Sequence, residues 1–540
     1  MNSRTSIFSG INTKLLVVAI GSAVGLGNIW KFPYITSTQG GGAFVIIYLL
    51  AILLIGLPLL VSELILGDRL QKGLVQPKTS LSRTHLQWVK LLGGMVAFLI
   101  LSFYSVVAGW SVAYCIEYIK AVLFSSYLPL PFDSFSDNPY PQAGYHMLII
   151  LVSVFVVGKG INTMERVVKV MLMLFVVLLV LLSLGSMFVF EEQMPKVGKF
   201  LFSVDSWKIG SQGILEAVGH AFFTLSLASG IILIFGQNFT PDKQILKSSV
   251  MIAIADTMIA LMACLLIFPI IFAMKGGTEF SDNSGILFTA INELLSNNPY
   301  GRPIGALFFL LVSFAALTSV FSVLHAVASI FQKPIRPLLI RIKPPGKEDS
   351  PFSYHFLSTV IMGGLVMIVG LFCAVSNSSK SSFSDIGTGA IIQKKELRKS
   401  YLQLEQVKDF LSFSTPEELT ELLVDRSYQE DILQQLGKDP EEVEQYEFVV
   451  IPSLNELEVT HHKMKEVKSF MDLCIHVSTN WLLPVSGLVL SLFVGYFLKD
   501  RDKIPYFGST HRVVYFCWKY LVRLFAPLVI LGILVMSLIL

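Results

Sequence analysis

Residues 19–34, AIGSAVGLGNIWKFPY, place residues that weaken helices in the middle of an apolar segment. Gly21, Gly25 and Gly27 lie there, followed by the polar Asn28. Glycine inside a helix costs about 1 kcal/mol relative to alanine, and broken backbone at membrane depth is tolerated where it lines a cavity. The pattern therefore predicts a helix that opens near residues 23–26, with carbonyls free to bind a cation and a half-helix end facing a carboxylate. Close packing of helices over small residues is the alternative interpretation.

A second interruption, FFTLSLASG at residues 222–230, lies in the sixth apolar segment of the chain. It carries Thr224, Ser226, Ser229 and Gly230 among its apolar residues. The sixth segment is the counterpart of the first if the first ten segments form two inverted repeats of five. Interruptions at matching positions of two repeats are typical of a transport site at the membrane midplane, so the pair favours a cavity over simple packing.

The composition indicates which elements hold these interruptions. Of the 540 residues, 53% are hydrophobic and 15% are charged, whereas soluble domains have about 25% charged residues. We therefore predict an all-α integral membrane protein that is surrounded by lipid and has no nucleic-acid partner. A membrane helix needs about 20 apolar residues. Eleven segments, which we call spans 1 to 11, meet this requirement: 13–38, 42–67, 88–124, 145–160, 166–190, 211–237, 246–274, 300–331, 354–376, 471–498 and 512–538.

Two smaller features complete the apolar part of the chain. The stretch SGILFTAINELLSN between spans 7 and 8 is too short and too polar to cross the membrane, so it predicts a helical hairpin or a re-entrant loop. The five cysteines have no metal-binding or redox spacing, and we interpret them as small apolar residues; they are Cys115, Cys264, Cys373, Cys474 and Cys517.

The basic residues of the loops predict the orientation of the spans. Five Lys or Arg residues follow span 2, between Arg69 and Lys90, and five follow span 8, between Lys333 and Lys347. The loop after span 3 contains Asp residues and no basic residue. Because basic loops stay on the cytoplasmic side, we expect a multi-pass protein of the inner or plasma membrane whose N-terminus lies in the cytoplasm.

Residues 377–470 form an acidic insert between spans 9 and 10. They contain 11 Lys or Arg residues and 18 Asp or Glu residues, a net charge of about −7. Apolar residues at helical spacing, such as Leu419, Leu422 and Leu423, and a helix start at Thr415 predict a soluble helical element on the outer face. The chain thus divides into a core of spans 1–9 (1–376), the insert (377–470) and spans 10 and 11 (471–540).

Five motifs in order resemble the neurotransmitter:sodium symporter family, and most closely its bacterial amino-acid transporters. They are GSAVGLGNIWKFPY, GGGAF (40–44), HAFFTLSLASG (220–230), FAALTS (314–319) and NWLLP (480–484). The resemblance covers everything except the insert. It implies eleven membrane helices, a five-plus-five inverted repeat with helices 1 and 6 broken, and uptake coupled to two sodium ions. Because broken helices of this kind are described for a family member, the paired interruptions and the resemblance are not independent indications.

The resemblance implies two sodium sites. One would take the carbonyls of Gly21, Val24 and Ala315 and the hydroxyls of Thr318 and Ser319. The alternative interpretation is that the Ser and Thr hydroxyls of span 8 bond to neighbouring helices. The other would take the Ala23 carbonyl with the side chains of Asn28, Thr224 and Asp256.

Asp256 departs from the asparagine that is usual in the family. It either binds sodium directly or supplies the negative charge that chloride provides in chloride-dependent relatives, and a structural pair with His220 is the third interpretation. His220 replaces the usual glutamine, and Ala260 replaces the serine that holds the anion, so we expect no chloride requirement. Glu63 should hydrogen-bond near the break in span 6.

The substrate implied by the resemblance is a neutral amino acid. Gly25 replaces the aspartate of monoamine carriers and leaves room for a substrate carboxylate, to which the Tyr104 hydroxyl would bind. Small residues at 228 and 229 suggest an apolar or aromatic side chain. The full set of substrate-binding residues is Ala23, Gly25, Gly27, Ile100, Tyr104, Phe223, Thr224, Ser226, Ala228, Ser229, Ser319 and Val323.

Lys31 and Asp472 fall where the family has an outer gating ion pair, usually Arg with Asp, and Phe223 falls at the aromatic lid beneath it. Lysine lacks the bidentate fork of arginine. The predicted function is therefore sodium-coupled symport by alternating access. A receptor on a transporter scaffold, with the insert as docking element, is the alternative. The chain has no HExxH or GxSxG motif, so an enzyme is not expected. The sequence does not decide between a monomer and a dimer.

Overall fold

The chain forms two compact units, a membrane unit from Met1–Ser384 with Ser469–Ile539 and a smaller unit from Asp385–Lys468. The computed structural model describes the following residues: 13–72, 80–203, 210–237, 245–275, 286–296, 301–342, 351–376, 393–408, 411, 415–423, 425–436, 446–451, 456–466, 469–507 and 512–539. The description below refers to these residues.

The membrane unit is all-α, as predicted. In the described part of the chain, nine helices are long and apolar enough to cross a membrane, and a tenth span is a pair of helices bent by 41°. The continuous spans, some with short π-helical turns, are Gly42–Gln71, Leu86–Leu123, Pro139–Gly158, Ile161–Val189, Ile245–Ala273, Gly301–Phe331, Tyr354–Ser376, Phe470–Phe497 and Arg512–Ser537.

Spans 1 and 6 are the broken ones. Span 1 consists of Thr13–Ala23, a π-helical turn Gly27–Lys31 and Phe32–Thr38. Span 6 consists of Ser211–Thr224 and Ile231–Gly236, which are separated by six residues without helix. Both interruptions predicted from the sequence are thus present. By length and composition the described residues give ten spans, the nine continuous helices and the bent pair, and the two short helices of span 6 occupy the eleventh predicted segment.

Several helices start before the predicted apolar segments. Span 3 begins at Ser80 and span 4 at Pro139, because helical backbone continues through polar residues beyond the hydrocarbon and hydropathy marks only the part inside it. Helices that do not cross the membrane are Phe132–Ser136, Glu191–Gln193, Met194–Phe202, Ile286–Ser296, Arg336–Ile342, Asp500–Lys503 and Ile504–Phe507. Where a helical hairpin or a re-entrant loop was expected between spans 7 and 8, the described residues form one helix, Ile286–Ser296.

Burial separates the central spans from the peripheral ones. Span 8 is 78% buried over its most apolar window, whereas spans 5 and 11 are 22% buried. Large apolar side chains such as Phe155 and Leu181 are exposed on the outer spans, which suits a lipid environment. A helix that is apolar on all sides and buried belongs to the centre of the bundle, so span 8 is placed to carry site residues.

The insert was predicted to be helical, and this is wrong in part. It contains a three-stranded antiparallel sheet of order β1-β3-β2, formed by β1 (Gln393–Gln403), β2 (Tyr446–Ile451) and β3 (Glu456–Glu466). The signal was present in β3, where buried Leu457 and Val459 alternate with glutamates at the period of a strand. The three helices of the insert are Leu404–Lys408, Pro416–Leu422 and Arg426–Gln435.

Local capping explains two of these helices. The predicted start at Thr415 is confirmed, since its hydroxyl accepts a hydrogen bond from the Glu418 amide at 3.2 Å. Asp425 caps the next helix by accepting from the Ser427 amide at 2.9 Å, and the bonds from the Ser427 amide and hydroxyl lower the pKa of Asp425. The insert has its own small core, which consists of Leu404, Val407, Leu411, Leu419, Leu423, Ile432, Leu433, Leu457 and Val459.

Because the insert has a core separate from that of the spans, we expect the membrane unit to fold without it. Replacing residues 380–465 by a short Gly/Ser linker, which keeps the Ser469 cap of span 10, should change the melting temperature of the purified protein by less than about 3 °C. Size-exclusion chromatography and thermal unfolding in detergent would measure this. An aggregated variant, or a much lower melting temperature, would show that the insert supports the spans.

Candidate functional site

The break in span 1 is made by side chains that capture backbone amides. The Gly25 amide donates to Asn28 Oδ1 at 3.0 Å, and the Leu26 amide donates to the Tyr104 hydroxyl at 3.0 Å. In a continuous helix these amides would bond to the carbonyls of Gly21 and Ser22. The two captures therefore free carbonyl oxygens inside the bundle without leaving an amide unpaired, which is the condition for irregular backbone in a membrane.

The break in span 6 is held in a strained conformation. Ser226 (φ 53°) and Ala228 (φ 58°) lie in the left-handed region together with Gly230 (φ 72°), and for residues other than glycine this conformation costs about 1–3 kcal/mol. The carboxyl group of Glu63 lies beside the amides of Ala228 and Gly230 and interacts with them, while its Oε2 has no hydrogen-bond partner among the described residues. Glu63 thus lies at the break in span 6, beside backbone that the helix no longer satisfies.

The two breaks lie against each other. The Ser226 hydroxyl donates to the Ser22 carbonyl at 3.1 Å, and the Ala228 carbonyl accepts from the Ser486 hydroxyl of span 10 at 2.5 Å. Glycines permit the contact with span 3, because a Cβ on Gly93 would lie 2.9 Å from the Gly230 nitrogen. The irregular segments of spans 1 and 6 therefore form one connected polar region within the apolar bundle.

A buried cluster of oxygen atoms occupies one side of this region. Asp256 Oδ1 accepts from Asn28 Nδ2 at 2.7 Å and from the Thr224 hydroxyl at 2.8 Å. Asn28 Nδ2 also lies 3.1 Å from the Thr224 hydroxyl oxygen. Three side chains predicted for one sodium site, from spans 1, 6 and 7, thus meet in one place, and each is at least 98% buried. Their carbonyl, hydroxyl and carboxylate groups are hard oxygen donors that fit a small cation.

The amide of Asn28 has a definite orientation. Its oxygen accepts from the Gly25 amide while its NH₂ group faces Asp256. An asparagine amide carries an acceptor at one end and two donors at the other, so the NH₂ group takes the place of a positive partner for the carboxylate. Half a turn of the amide would present the oxygen to a cation instead, and it would release the Gly25 amide.

Two further residues complete the surroundings of Asp256. The hydroxyl of Tyr48 donates to Asp256 Oδ2 at 3.1 Å; our sequence analysis missed Tyr48, and only its position in an apolar helix could have suggested it. Neither ring nitrogen of buried His220 has a hydrogen-bond partner in the described part of the chain. The imidazole instead packs beside Phe32 and Tyr48, at centroid distances of 5.5 and 5.6 Å. The structural pair of Asp256 with His220 is therefore not formed.

The second predicted sodium site lies between spans 1 and 8. The Thr318 hydroxyl donates to the Ala315 carbonyl at 3.0 Å, and the Ser319 hydroxyl donates to the Val24 carbonyl at 3.4 Å. A Cβ on Gly21 would lie 3.9 Å from the Thr318 Cβ. All five predicted ligand residues are thus at this helix contact, where hydroxyls and carbonyls that now bond to each other could turn toward a cation.

A cavity lies between the breaks and spans 3 and 8. The predicted substrate-binding residues line it with the exception of Ala228, whose carbonyl is directed at Ser486. The wall also contains residues that the sequence analysis missed, namely Ser22, Ala97, Phe222, Ile231 and Leu483. Most of these are apolar, so the cavity has a polar side at the breaks and an apolar remainder.

Gly25 sets the shape of the polar side. A Cβ at this position would lie 2.6 Å from the Ser319 hydroxyl oxygen and 2.8 Å from the Tyr104 hydroxyl oxygen. Both distances are shorter than normal contacts, and both groups also take part in the hydrogen bonds described above. Only glycine therefore leaves the two hydroxyls and the cavity between them in place.

The predicted gate residues are not joined to each other in the described part of the chain. Lys31 Nζ lies 4.9 Å from the ring centroid of Phe223, and the carboxylate of Asp472 accepts from the Ser469 hydroxyl at 2.8 Å. Among the ion pairs of the described residues none links Lys31 to Asp472. The carboxylate that attracts Lys31 electrostatically is that of Glu216 in span 6, a residue that the sequence analysis did not select.

Comparison with known proteins assigns this arrangement to a family. The model of the sodium:neurotransmitter symporter family matches residues 9–129 and 135–371. The chain belongs to the sodium:neurotransmitter symporter family. The family is one of membrane transporters, which agrees with the many apolar spans.

Relatives in this family include transporters from bacteria, archaea and mammals. Uncharacterized sodium-dependent transporter YhdH of Bacillus subtilis is 32% identical over 67% of this chain and 77% of its own. Uncharacterized sodium-dependent transporter MJ1319 of Methanocaldococcus jannaschii is 27% identical over 60% and 69%. Sodium-dependent neutral amino acid transporter B(0)AT3 of the mouse is 28% identical over 47% and 46%.

A solved symporter structure has the same fold. The crystal structure of MhsT in complex with L-phenylalanine covers 98% of this chain and 99% of its own, with a TM-score of 0.69 and 25% identity. The predicted membership of the family and the predicted fold of the spans are therefore both confirmed.

The oxygen clusters of this symporter predict how sodium acts on the purified protein. A ligand present at 100 times its Kd stabilises the folded state by about 2.7 kcal/mol. We expect sodium, but not potassium at equal ionic strength, to raise the melting temperature of the wild type. Asn28→Ala and Thr318→Val should each reduce this shift by at least about half, because each removes an oxygen from a buried cluster.

The control is Thr359→Val, which makes the same change at a buried threonine of span 9 whose hydroxyl donates within its own helix, to the His355 carbonyl. It should keep the full sodium shift. An unchanged shift in Asn28→Ala or in Thr318→Val would contradict the corresponding ion site.

Proposed function

We propose that this chain is a sodium-coupled symporter that takes up a neutral amino acid, apolar or aromatic in its side chain, by alternating access. The observation that carries the proposal is the cavity between the broken spans, which has hydroxyl and backbone groups on one side and apolar residues on the other. A zwitterion with an apolar side chain has this same division. The phenylalanine bound by MhsT supports the substrate class for this chain by similarity.

The carboxylate of the substrate would bind where span 1 opens. Gly25 leaves the space, the hydroxyl of Tyr104 lies beside it, and the amide ends of the half-helix after the break add positive potential. The apolar side chain would extend toward Ile100, Val323 and the other apolar residues of the wall. Since a lining of this kind gives little selectivity between similar apolar side chains, we expect several neutral amino acids to compete for the site.

Two sodium ions would travel with the substrate. The first would be held by Asn28, Thr224, Asp256 and the Ala23 carbonyl, and the second by the group around Thr318 between spans 1 and 8. Both clusters include residues of the broken span 1, so sodium would fix the conformation of the backbone that forms the substrate cavity. This shared backbone is the physical basis for coupling, because each ligand then favours the conformation that the other needs.

Access to the site would alternate between the two sides of the membrane. We propose that the N-terminus lies in the cytoplasm, on the evidence of the basic loops. Phe223 and Lys31 would then close the cavity from outside, with Asp472 and Glu216 as the carboxylates available to Lys31. The gate is looser than an Arg–Asp pair, since a lysine offers no planar fork to hold one carboxylate.

Uptake into proteoliposomes tests the function. An inward sodium gradient should drive accumulation of labelled neutral amino acids, and a panel of the twenty amino acids should place apolar and aromatic ones first. Gly25→Ala should lower this uptake at least about fivefold, because an extra methyl in a packed site costs about 1–3 kcal/mol.

The matched control is Gly185→Ala, at a glycine whose added Cβ would meet nothing within 4 Å; it should transport like the wild type. Sodium-dependent binding without accumulation would instead support a receptor function, and full activity of Gly25→Ala would contradict the proposed position of the carboxylate.

Transport should not require chloride. Asp256 brings a negative charge of its own, and at position 260 the buried methyl of alanine offers no hydroxyl to an anion. Replacement of chloride by gluconate should leave the initial uptake rate within about twofold of its value in chloride, a difference of less than about 0.4 kcal/mol. A large loss would show that an anion site exists elsewhere.

Asp256→Asn distinguishes the two roles of this carboxylate. If Asp256 supplies a fixed charge, the variant should become dependent on chloride. If it binds sodium directly, the variant should need more sodium for half-maximal uptake, with or without chloride.

A further inference from the structure

Two buried cysteines meet where the chain leaves and re-enters the membrane unit around the insert. Cys373 lies in the last turn of span 9 and Cys474 in the first helical turns of span 10. Their thiols lie close enough to interact electrostatically, and both residues are at least 95% buried. They are 101 positions apart in the sequence, so this contact is made by the fold and not by local spacing, which is why the sequence analysis did not find it.

The two helix ends are held together independently of the thiols. The Ser376 hydroxyl donates to the Cys373 carbonyl at 3.1 Å and accepts from the Met471 amide at 3.3 Å. Phe372 and Phe470 pack edge to face, with centroids 6.3 Å apart. Because these contacts fix the backbone on both sides, the sulfurs need only a local approach to reach a bond length of about 2.05 Å.

The remaining cysteines have no such arrangement. The thiol of Cys115 lies 4.0 Å from the Ala306 carbonyl, that of Cys264 is buried beside Thr36, and Cys517 is exposed on span 11. The described thiols therefore form a single pair, and it lies at the end of the spans that the proposed orientation places outside the cytoplasm, where disulfides persist.

We propose that Cys373 and Cys474 form a redox pair that a disulfide-bearing oxidant outside the cytoplasm converts to a disulfide, clamping span 10 to span 9. Both thiols are buried in the conformation described here, so the exchange takes place when movement of span 10 exposes one of them. The exposed thiolate attacks the disulfide of the oxidant, forms a mixed disulfide and releases one thiol, and the second thiolate then displaces the other half of the oxidant. The two cysteines lose two electrons and two protons in total, and the oxidant is reduced to two thiols, which are two molecules of glutathione when it is oxidised glutathione. The placement of the pair outside the cytoplasm rests on the orientation given with the proposed function.

The clamp has a direct connection to the proposed gate. Asp472 precedes Cys474 by two residues and belongs to the same helical turn, which Ser469 caps. A disulfide at Cys474 would fix this turn against span 9, and it would also join the two ends of the insert. Since the carboxylate must move for Lys31 to reach it, the oxidised protein should transport more slowly than the reduced one.

The test cuts the insert and asks whether the two pieces stay joined. A tobacco etch virus protease site replaces residues 437–445 in the full-length chain. Intact cells that express this variant are treated with oxidised glutathione, which does not cross the membrane. Free thiols are then blocked with N-ethylmaleimide. After cleavage in detergent, the N- and C-terminal fragments should migrate together in a gel without reductant and separate with dithiothreitol. Fragments that separate without reductant after this oxidation would overturn the proposal.

Matched variants identify the cysteines. Cys474→Ser should abolish the link, whereas Cys517→Ser should keep it, and a link that persists in Cys474→Ser would overturn the assignment. Mass spectrometry of the uncut wild type should find peptides with residues 373 and 474 cross-linked after oxidation, which gives a result even if Cys474→Ser does not fold; absence of that peptide pair would overturn the assignment as well.

Uptake measured with the oxidised and the reduced wild type tests the clamp. We expect oxidation to lower the initial rate at least about twofold, as for a restrained gating step, and dithiothreitol to restore it; Cys474→Ser should show no response. An unchanged rate in the oxidised wild type would overturn the clamp. The cross-link is detected without transport, so a failure of the proposed function would be recognised separately, by absence of uptake in the reduced protein.

Discussion

Every backbone amide and carbonyl inside a membrane needs a partner, and the central part of this protein depends on how that requirement is met at two broken helices. A helix satisfies its own backbone, so opening it in lipid is costly unless side chains take over. Here Asn28 and Tyr104 accept the amides released in span 1, and the carboxyl group of Glu63 lies beside those released in span 6 and interacts with them. The carbonyls left without an amide are then the groups that can bind a cation or an ammonium group.

The strain in span 6 follows from the same requirement. Ser226 and Ala228 hold positive φ angles that only glycine adopts easily, and the surrounding interactions with Glu63 and Ser486 keep them there. Strain of this kind persists where neighbouring structure determines it completely, which is typical of functional sites. A glycine at either position would relieve the strain but would also remove the restriction that keeps the segment open.

The sequence predicted the spans and most of the site because both depend on local signals. Long apolar runs determine where helices cross, and the glycine-rich and serine-rich interruptions mark where they break. Boundaries differed because helices continue past the hydrocarbon, as at Ser80 and Pro139. The sheet of the insert was missed since a short alternation such as Leu457 and Val459 is a weak signal beside longer helical patterns.

What the sequence could not predict are contacts between residues far apart in the chain. Tyr48 donates to Asp256, which is 208 positions away in the sequence. Cys373 and Cys474 come together only because the end of span 9 lies beside the start of span 10. The periodicity of apolar residues within a segment gives no information about such contacts. The lining of the cavity by Phe222 and Leu483 is of the same kind, because it depends on how the spans pack and not on any motif within them.

One side chain, the amide of Asn28, connects the two halves of the proposed mechanism. The oxygen of Asn28 bonds to the Gly25 amide, on the side of the cavity, while its NH₂ group bonds to Asp256, in the oxygen cluster. A cation that draws the Asn28 oxygen toward Asp256 must release the Gly25 amide, which becomes a free donor beside the space that Gly25 leaves for a carboxylate. Sodium would in this way prepare the donor that the substrate needs, and the substrate carboxylate would stabilise the amide orientation that sodium needs. Coupling that arises from a single rotating amide is reciprocal, as any equilibrium between two binding sites must be.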